Sequence, residues 1–237
     1  MSTMSELSTS DRSTPTSAVA DLSAYRAVHV ALRRGTHALA EAARGLDPTD
    51  RRRAEAYARF WKGFAGEVLA HHTIEDDICF PALVERIDAM AALIEQTDAD
   101  HHRLDELMAA AEAAVAEIAA GRTAAELTTV LDELDALMHR HLDFEDAEIL
   151  PLIEQHVSHD EWAALEEQAQ KHMGLDLQAA FAIPFIASML DLDDLREVFA
   201  SAPGAFRVLY RLTRKRYNRL AVRALGSAAR VAVPLGR

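Results

Sequence analysis

Apolar residues recur along this chain at the spacing of an α-helix, and the recurrence divides most of its length into long segments. Val28, Leu32 and Leu39 are four and seven positions apart, which places them on one face of a first helix. The same periodicity continues with little interruption as far as the second of two repeated prolines. It predicts four helices, over about residues 21–44, 50–81, 90–120 and 123–151.

Capping and turn residues predict where these helices begin and end. Asp21 and Thr123 suit the N-caps of the first and fourth helices, and Gly121 suits the end of the third. Pro81 ends or kinks the second helix, and Pro151 closes the fourth. Helices of about 20 to 30 residues joined by short turns predict an all-α protein built on an antiparallel up-down four-helix bundle.

Additional C-terminal helices follow this bundle, and Ser158 and Glu161 form a capping box at the start of the first of them. The last one is basic and amphipathic. We expect it to dock on the bundle through Phe206, Leu209, Tyr210 and Leu220; lying on an anionic membrane is the alternative. The additional helices are predicted over residues 158–172, 176–190, 193–200 and 204–226.

Composition divides the chain into three parts. Ser and Thr dominate residues 1–19, which predicts a disordered N-terminal arm without a core. Residues 20–156 form the predicted bundle, and residues 157–237 form the helical extension with its basic tail. The net charge is -13, but nine basic residues and no acidic residue follow Glu197, so residues 1–197 carry a net charge of -22.

The acidic body argues against nucleic acid as a partner. Cys79 is the single cysteine, so an intrachain disulfide is excluded. We find neither a signal-peptide pattern nor an apolar stretch long enough for an integral membrane segment, and therefore expect a cytoplasmic protein.

One motif occurs twice with the same spacing. His71, Glu75 and Pro81 follow the pattern His-x3-Glu-x5-Pro, and His141, Glu145 and Pro151 repeat it seventy residues later. The tetrapeptide His-x3-Glu alone is weak evidence, because it occurs four times in the chain. Repetition of the whole motif is stronger evidence, and it suggests two related helical hairpins.

Two further histidines fit this duplication. His29 on the first helix and His101 on the third each precede a leucine by three positions and are 72 residues apart. Each hairpin then supplies a lone histidine and a His-x3-Glu pair on one helical face. Four imidazoles and two carboxylates suit iron, zinc, manganese or copper, and they exceed the four ligands of a structural zinc site. Bridging glutamates would let this set hold two ions with open positions, as in a redox or gas-binding centre.

These motifs resemble the hemerythrin family in its form called the HHE cation-binding domain. The resemblance covers about residues 20–155 and implies a four-helix bundle around a non-haem di-iron centre. It implies two carboxylate-bridged iron ions as the cofactor. The ligands that it implies are His29, His71, Glu75, His101, His141 and Glu145.

Two positions depart from the oxygen-carrying members of this family. Asp105 stands where those proteins have a second histidine on the third helix, with His102 and Glu106 beside it. Asp146 is an alternative to Glu145, because those proteins end with His-x4-Asp. His72 is assigned to the surroundings of the metal or to the surface. A harder, more anionic ligand set favours ferric iron, and this argues against reversible oxygen carriage.

The resulting hypothesis is a hemerythrin-like protein that binds or reacts with a small oxidant, either a diatomic gas (dioxygen or nitric oxide) or peroxide. The alternative is an iron, oxygen or redox sensor in which metal occupancy controls a partner interaction without turnover. A metal-free helical scaffold is the third hypothesis. A ferritin-like centre is disfavoured, because no histidine has a glutamate three positions before it.

Overall fold

The computed structural model describes residues 19–173 and 178–235. Helices account for nearly all of these residues, and the only strand-like pairing among them is an isolated bridge between Val19 and Ser158. The prediction of an all-α protein is therefore confirmed. The predicted disorder of the N-terminal arm lies outside the described residues, except at Val19. The helices are α1 (Ser23–Ala43), α2 (Arg51–Ile74), α3 (Phe80–Val84), α4 (Met90–Ala119), α5 (Leu127–Phe144), α6 (Leu150–His156), α7 (His159–Met173), α8 (Ala179–Met189), α9 (Leu192–Ser201) and α10 (Gly204–Leu225).

Side-chain caps account for only some of the helix ends in the described chain. The Asp21 carboxylate accepts a hydrogen bond from the Ser23 amide at 3.0 Å, although the helix itself begins one residue later than a cap at Asp21 would give. Ser158 and Glu161 form the predicted capping box before α7. Thr123 was wrongly predicted as the N-cap of α5. Gly121, at φ 79°, reverses the chain there, and the turn that follows it lasts until α5 begins at Leu127.

A π-helical turn follows α2 and another follows α5, and both contain the glutamate of the repeated motif. The turns span Glu75–Cys79 and Glu145–Ile149, and each is closed by an amide that bonds to the glutamate carbonyl five residues back. The wider turn makes room for the proline that follows, which lacks an amide and would crowd the carbonyl four residues before it. Neither proline ends its helix. The prediction that the fourth helix closes at Pro151 was wrong, because helical structure continues to His156.

Helices α1, α2, α4 and α5 contact one another in a ring, since α1 and α4 each pack on both α2 and α5. Their apolar residues form two separate clusters. We call the first the large cluster; it includes Leu32, Leu39, Phe60, Phe64, Leu104, Leu131 and Leu134. We call the second the small cluster; it includes Leu22, Cys79, Phe80, Leu83, Met90, Ile149, Leu150 and Trp162.

Three of the additional C-terminal helices, α8, α9 and α10, share the large cluster with the bundle helices, whereas Trp162 of α7 belongs to the small cluster. Helix α8 packs on α1 and α2, and α10 packs on α2 and α8. Glycines permit this close approach: a Cβ atom on Gly63 would lie 2.5 Å from the Phe181 ring, and one on Gly35 would lie 2.7 Å from Phe185. The extension is therefore part of the folded core rather than an appendage.

Helix α10 contacts the bundle mainly through aromatic and small residues. Tyr210 and Tyr217 are buried, but Phe206, Leu209 and Leu220 are only partly buried, so the predicted docking face was rotated from the one observed. No arginine or lysine of α10 forms an ion pair with a described residue. The contact is therefore apolar rather than an attraction between basic tail and acidic body. No helix within the described residues is both long and apolar enough to cross a bilayer.

Candidate metal centre

The candidate metal centre lies between the two apolar clusters, on α1, α2, α4 and α5 and the π-turns that follow α2 and α5. Along α2, Phe64 and Val68 belong to the large cluster, and Cys79 in the following π-turn belongs to the small cluster. His71 and Glu75 lie between these levels and are buried. Residues at helical spacing share the face that points inward, so inward-facing polar residues at the same level of each helix converge at one point. The residues that converge are His29, His71, His72, Glu75, His101, His141 and Glu145, none of them more than 6% exposed.

These residues form two groups that share Glu75. The first group is His29, His71, Glu75 and Glu145, and the second is His72, Glu75, His101 and His141. Within each group, the potential ligand atoms all lie within 4.8 Å of one another. The structure thus brings together all six residues of the predicted ligand set.

His72 is the seventh residue, and the sequence analysis did not include it among the ligands. It is 5% exposed, and its ring stacks on His101 with the ring centroids 4.0 Å apart. Of the two positions expected for His72, the surface is therefore excluded and the surroundings of the metal remain. Adjacent helical residues point about 100° apart, so His71 and His72 can serve the two different groups. The adjacent pair His71-His72 before Glu75 was the signal available in the sequence.

The two glutamates lie between the groups, with one carboxylate oxygen toward each. Glu75 places Oε1 3.1 Å from His71 Nε2 and Oε2 3.5 Å from His101 Nε2. Glu145 places Oε2 3.3 Å from His29 Nε2 and Oε1 3.6 Å from His141 Nε2. Each carboxylate therefore faces a histidine of both groups.

Most of the converging atoms lack a hydrogen-bond partner. The Nε2 atoms of all five histidines are buried without one, as are Oε2 of Glu75 and both carboxylate oxygens of Glu145. A buried polar atom without a partner costs free energy, and so many at one point are not explained by packing. Imidazole nitrogens and carboxylate oxygens are ligands of transition metals, so the donor set fits metal cations.

Residues 20–153 match the family model of the hemerythrin HHE cation-binding domain, which is more than half of the chain. The chain belongs to this family. The resemblance seen in the repeated motifs is confirmed. No curated protein and no solved structure matches the chain.

Two aspartates orient the lone histidines of this hemerythrin-like centre in equivalent ways. Asp146 follows Glu145 and places Oδ1 2.8 Å from His29 Nδ1. Asp76 follows Glu75 and places Oδ1 3.1 Å from His101 Nδ1. A proton on Nδ1 shared with the carboxylate leaves Nε2 free to bind a cation. Each hairpin therefore positions the lone histidine of the other.

The structure places the other candidates that the sequence left open. Asp146 lies outside the two groups, where it also accepts a hydrogen bond from Arg33 at 2.6 Å. Asp105 and Glu106 are exposed on α4 and do not enter the centre. The neighbouring His102 is exposed as well, with its Nδ1 2.7 Å from the carbonyl oxygen of Asp98.

Burial shifts the pKa values of the side chains in the hemerythrin-like centre. It raises the pKa of Glu75 to about 8 and raises the pKa of Glu145, to which the charge of Glu75 adds. It lowers the pKa of His71 and His72 well below the ordinary value and that of His141 to about 3. The imidazoles of His71, His72 and His141 are thus neutral, as metal ligands must be, and the carboxylates need a nearby positive charge to ionise. His101 differs: burial lowers its pKa, but the Asp76 and Glu75 carboxylates outweigh burial, and its pKa is raised.

Tyr25 is a further residue of the centre that the sequence analysis did not identify. Its hydroxyl donates a hydrogen bond to Oε1 of Glu75, and its ring centroid lies 4.8 Å from that of His29 and 5.6 Å from that of His71. Burial and the two nearby carboxylates raise the pKa of Tyr25 well above its ordinary value, so the phenol keeps its proton. Its position one turn before His29 was the only signal in the sequence.

Cys79 and the remaining histidines do not join either group. Cys79 is 4% exposed in the small cluster, and burial raises the pKa of its thiol to about 12, as expected for a small structural residue. The other histidines were predicted to be solvated. His37, His156, His159 and His172 are exposed, and His139 is half-buried.

Proposed function

We propose that this centre holds two iron ions bridged by the carboxylates of Glu75 and Glu145, and that it binds or reacts with a small oxidant. The observation that carries the proposal is the placement of one oxygen of each carboxylate toward each group of histidines. Bridging carboxylates need this arrangement. We also propose that α1, α2, α4 and α5 form the up-down bundle of the family, which their ring of contacts supports.

The two halves of the centre differ in their histidines. His72, His101 and His141 serve one half, whereas His29 and His71 serve the other. With the carboxylates shared, the half with two histidines offers fewer protein ligands, so a cation held there would have room to bind a small molecule. Iron in this centre would supply the electrons for reduction of dioxygen or peroxide, or a binding position for nitric oxide.

The protein side chains around that half restrict which molecules fit and what they meet. The seven ligand candidates are nearly inaccessible to solvent, which favours a diatomic gas or peroxide over larger substrates. Tyr25 lies against the half with two histidines and carries its proton beside Glu75. Its hydroxyl donates its one proton to Glu75 and so positions that carboxylate, and Tyr25→Phe should remove this hydrogen bond without removing a proposed ligand.

Metal content tests the proposal directly. Protein purified without chelator from iron-replete cells should contain about two iron atoms per chain. His71→Ala and His141→Ala should each remove most of the iron, whereas His159→Ala, an exposed histidine outside the centre, should retain it. Equal iron content in all three variants would contradict the ligand assignment, and one zinc without iron would contradict the di-iron centre.

Turnover separates the proposed oxidant chemistry from a sensor that uses the same centre. Steady-state consumption of peroxide or nitric oxide by the iron-loaded protein is expected for the first. A protein with full iron content but no consumption, whose thermal stability depends on iron occupancy, would be a sensor. The two outcomes are distinguishable without changing any ligand.

A further inference from the structure

Helix α10 has a second face, opposite the one that packs on α2 and α8. Tyr210 and Tyr217 lie on the packed face and are buried. The opposite face is exposed and strongly basic. We call it the basic face; its cations are Arg211, Lys215, Arg216, Arg219 and Arg223.

Three aliphatic side chains lie among these cations. Val208 is 55% exposed, Leu212 is 74% exposed and Val222 is 53% exposed. At 100° per residue they fall on one line with Lys215 and Arg219, at spacings of four, seven, eleven and fourteen from Val208. The centre of the basic face is therefore a mixed aliphatic and cationic stripe, whereas the solvent face of an amphipathic helix is mainly charged and polar.

The cations of the basic face are without partners in the part of the chain that the structure describes. None of the five forms an ion pair or a hydrogen bond with a described residue, although residues 1–197 carry 38 acidic side chains. No acidic residue follows Glu197, so the positive charge is not neutralised locally either. A protein whose net charge is -13 does not need these cations for solubility, which suggests that they serve a partner.

We propose that the basic face binds anionic lipid headgroups, with α10 lying parallel to the membrane surface. The cations would contact headgroups, while Leu212 and its aliphatic neighbours reach the boundary of the acyl chains. Screening over a Debye length of about 8–10 Å weakens the repulsion between the membrane and acidic side chains that lie farther from this face.

The same face suits nucleic acid less well. Its outward positions carry no serine, threonine, asparagine, glutamine or aromatic residue, the neutral donors and stacking groups that accompany cations in nucleic-acid interfaces. Exposed aliphatic side chains at the centre of the face would lie against phosphates without a favourable contact. A membrane satisfies both the cationic and the aliphatic residues.

The test is cosedimentation of the full-length, iron-loaded protein with lipid vesicles. It should bind vesicles with about 30% phosphatidylglycerol but not pure phosphatidylcholine, and about 0.5 M salt should release it. Lys215→Gln/Arg219→Gln should weaken partitioning about thirty-fold, since each basic residue at such a surface contributes about 1 kcal/mol. Leu212→Ser should weaken it several-fold.

The matched control is Arg52→Gln/Arg140→Gln, which removes two exposed cations from α2 and α5 that form no ion pair with described residues. It should bind like the parent protein. Equal weakening in both double variants would mean that net charge alone drives binding, and it would overturn the assignment to α10. Failure to bind anionic vesicles, or binding of duplex DNA in their place, would overturn the lipid proposal. The iron content of each variant reports separately on the metal centre.

Discussion

Replacement of Asp146 by asparagine should weaken metal binding, although Asp146 lies outside the proposed ligand set. The carboxylate accepts a hydrogen bond from His29 Nδ1–H at 2.8 Å and another from Arg33 at 2.6 Å. Burial raises the pKa of Asp146, but His29 and Arg33 outweigh it, so the net shift is downward and the group is ionised. Asp146→Asn keeps the size of the side chain and removes its charge.

The expected loss follows from what that charge does for His29. A carboxylate on Nδ1 fixes the ring orientation and makes Nε2 a stronger ligand, and losing such a partner typically costs 10–100-fold in metal affinity, or about 1.4–2.7 kcal/mol. Only one histidine of five is affected directly, so partial rather than complete loss of metal is expected. Competition with a chelator, followed by the iron absorption spectrum, measures the change.

Asp143→Asn is the matched control for this experiment. Asp143 also pairs with Arg33, at 2.9 Å, but its side chain is 71% exposed and it makes no hydrogen bond to a histidine. The control therefore removes the same charge beside the same arginine and should leave affinity unchanged within about twofold. If Asp143→Asn and Asp146→Asn lose metal equally, the effect is one of local charge, and the proposed role of Asp146 in orienting His29 is wrong.

Three further predictions concern stability. Chelation of the metal should lower the melting temperature, because the converging buried atoms lose the partner that only the native state offers; an unchanged curve after verified metal removal would contradict this. Burial raises the pKa of Glu67 to about 7 from 4.5, so the folded protein retains a proton there and stability falls as pH rises through that window. Urea unfolding should show that Glu67→Gln changes the free energy of unfolding, relative to the parent protein, by on the order of 3 kcal/mol more favourably at pH 8 than at pH 4. The exposed Glu55→Gln should show no such difference between the two pH values. Gly63→Ala should destabilise the protein by about 1–3 kcal/mol, because its Cβ would lie 2.5 Å from the Phe181 ring; Gly204→Ala, with open space around it, should be neutral.

The sequence by itself determined the helices and the level of the metal centre along them. Helical periodicity is local, since residues four apart share a face wherever the helix packs. The spacing therefore places His71 with Glu75, and His141 with Glu145, on one face of a helix, and the repetition of the whole motif indicates that this face points inward. The duplication added His29 and His101, because equivalent positions in two related hairpins occupy equivalent places.

Helix ends near the prolines were predicted less well, and the reason is the local backbone geometry. A proline in a helical pattern normally indicates an end or a kink, but a π-turn lets the helix continue past it. Hydrophobic spacing hardly changes over one such turn. Pro81 and Pro151 were therefore identified as repeated features, while the longer helix after Pro151 was missed.

Only the tertiary structure decided which residues complete the centre. His72 enters because α4 brings His101 against it, and Tyr25 enters because α1 lies beside Glu75, fifty residues away in the chain. Asp146 contacts His29 because α1 and α5 pack side by side. Local spacing determines the direction of a side chain from its own helix, whereas its contacts depend on how separate helices pack, which the periodicity of one helix does not specify.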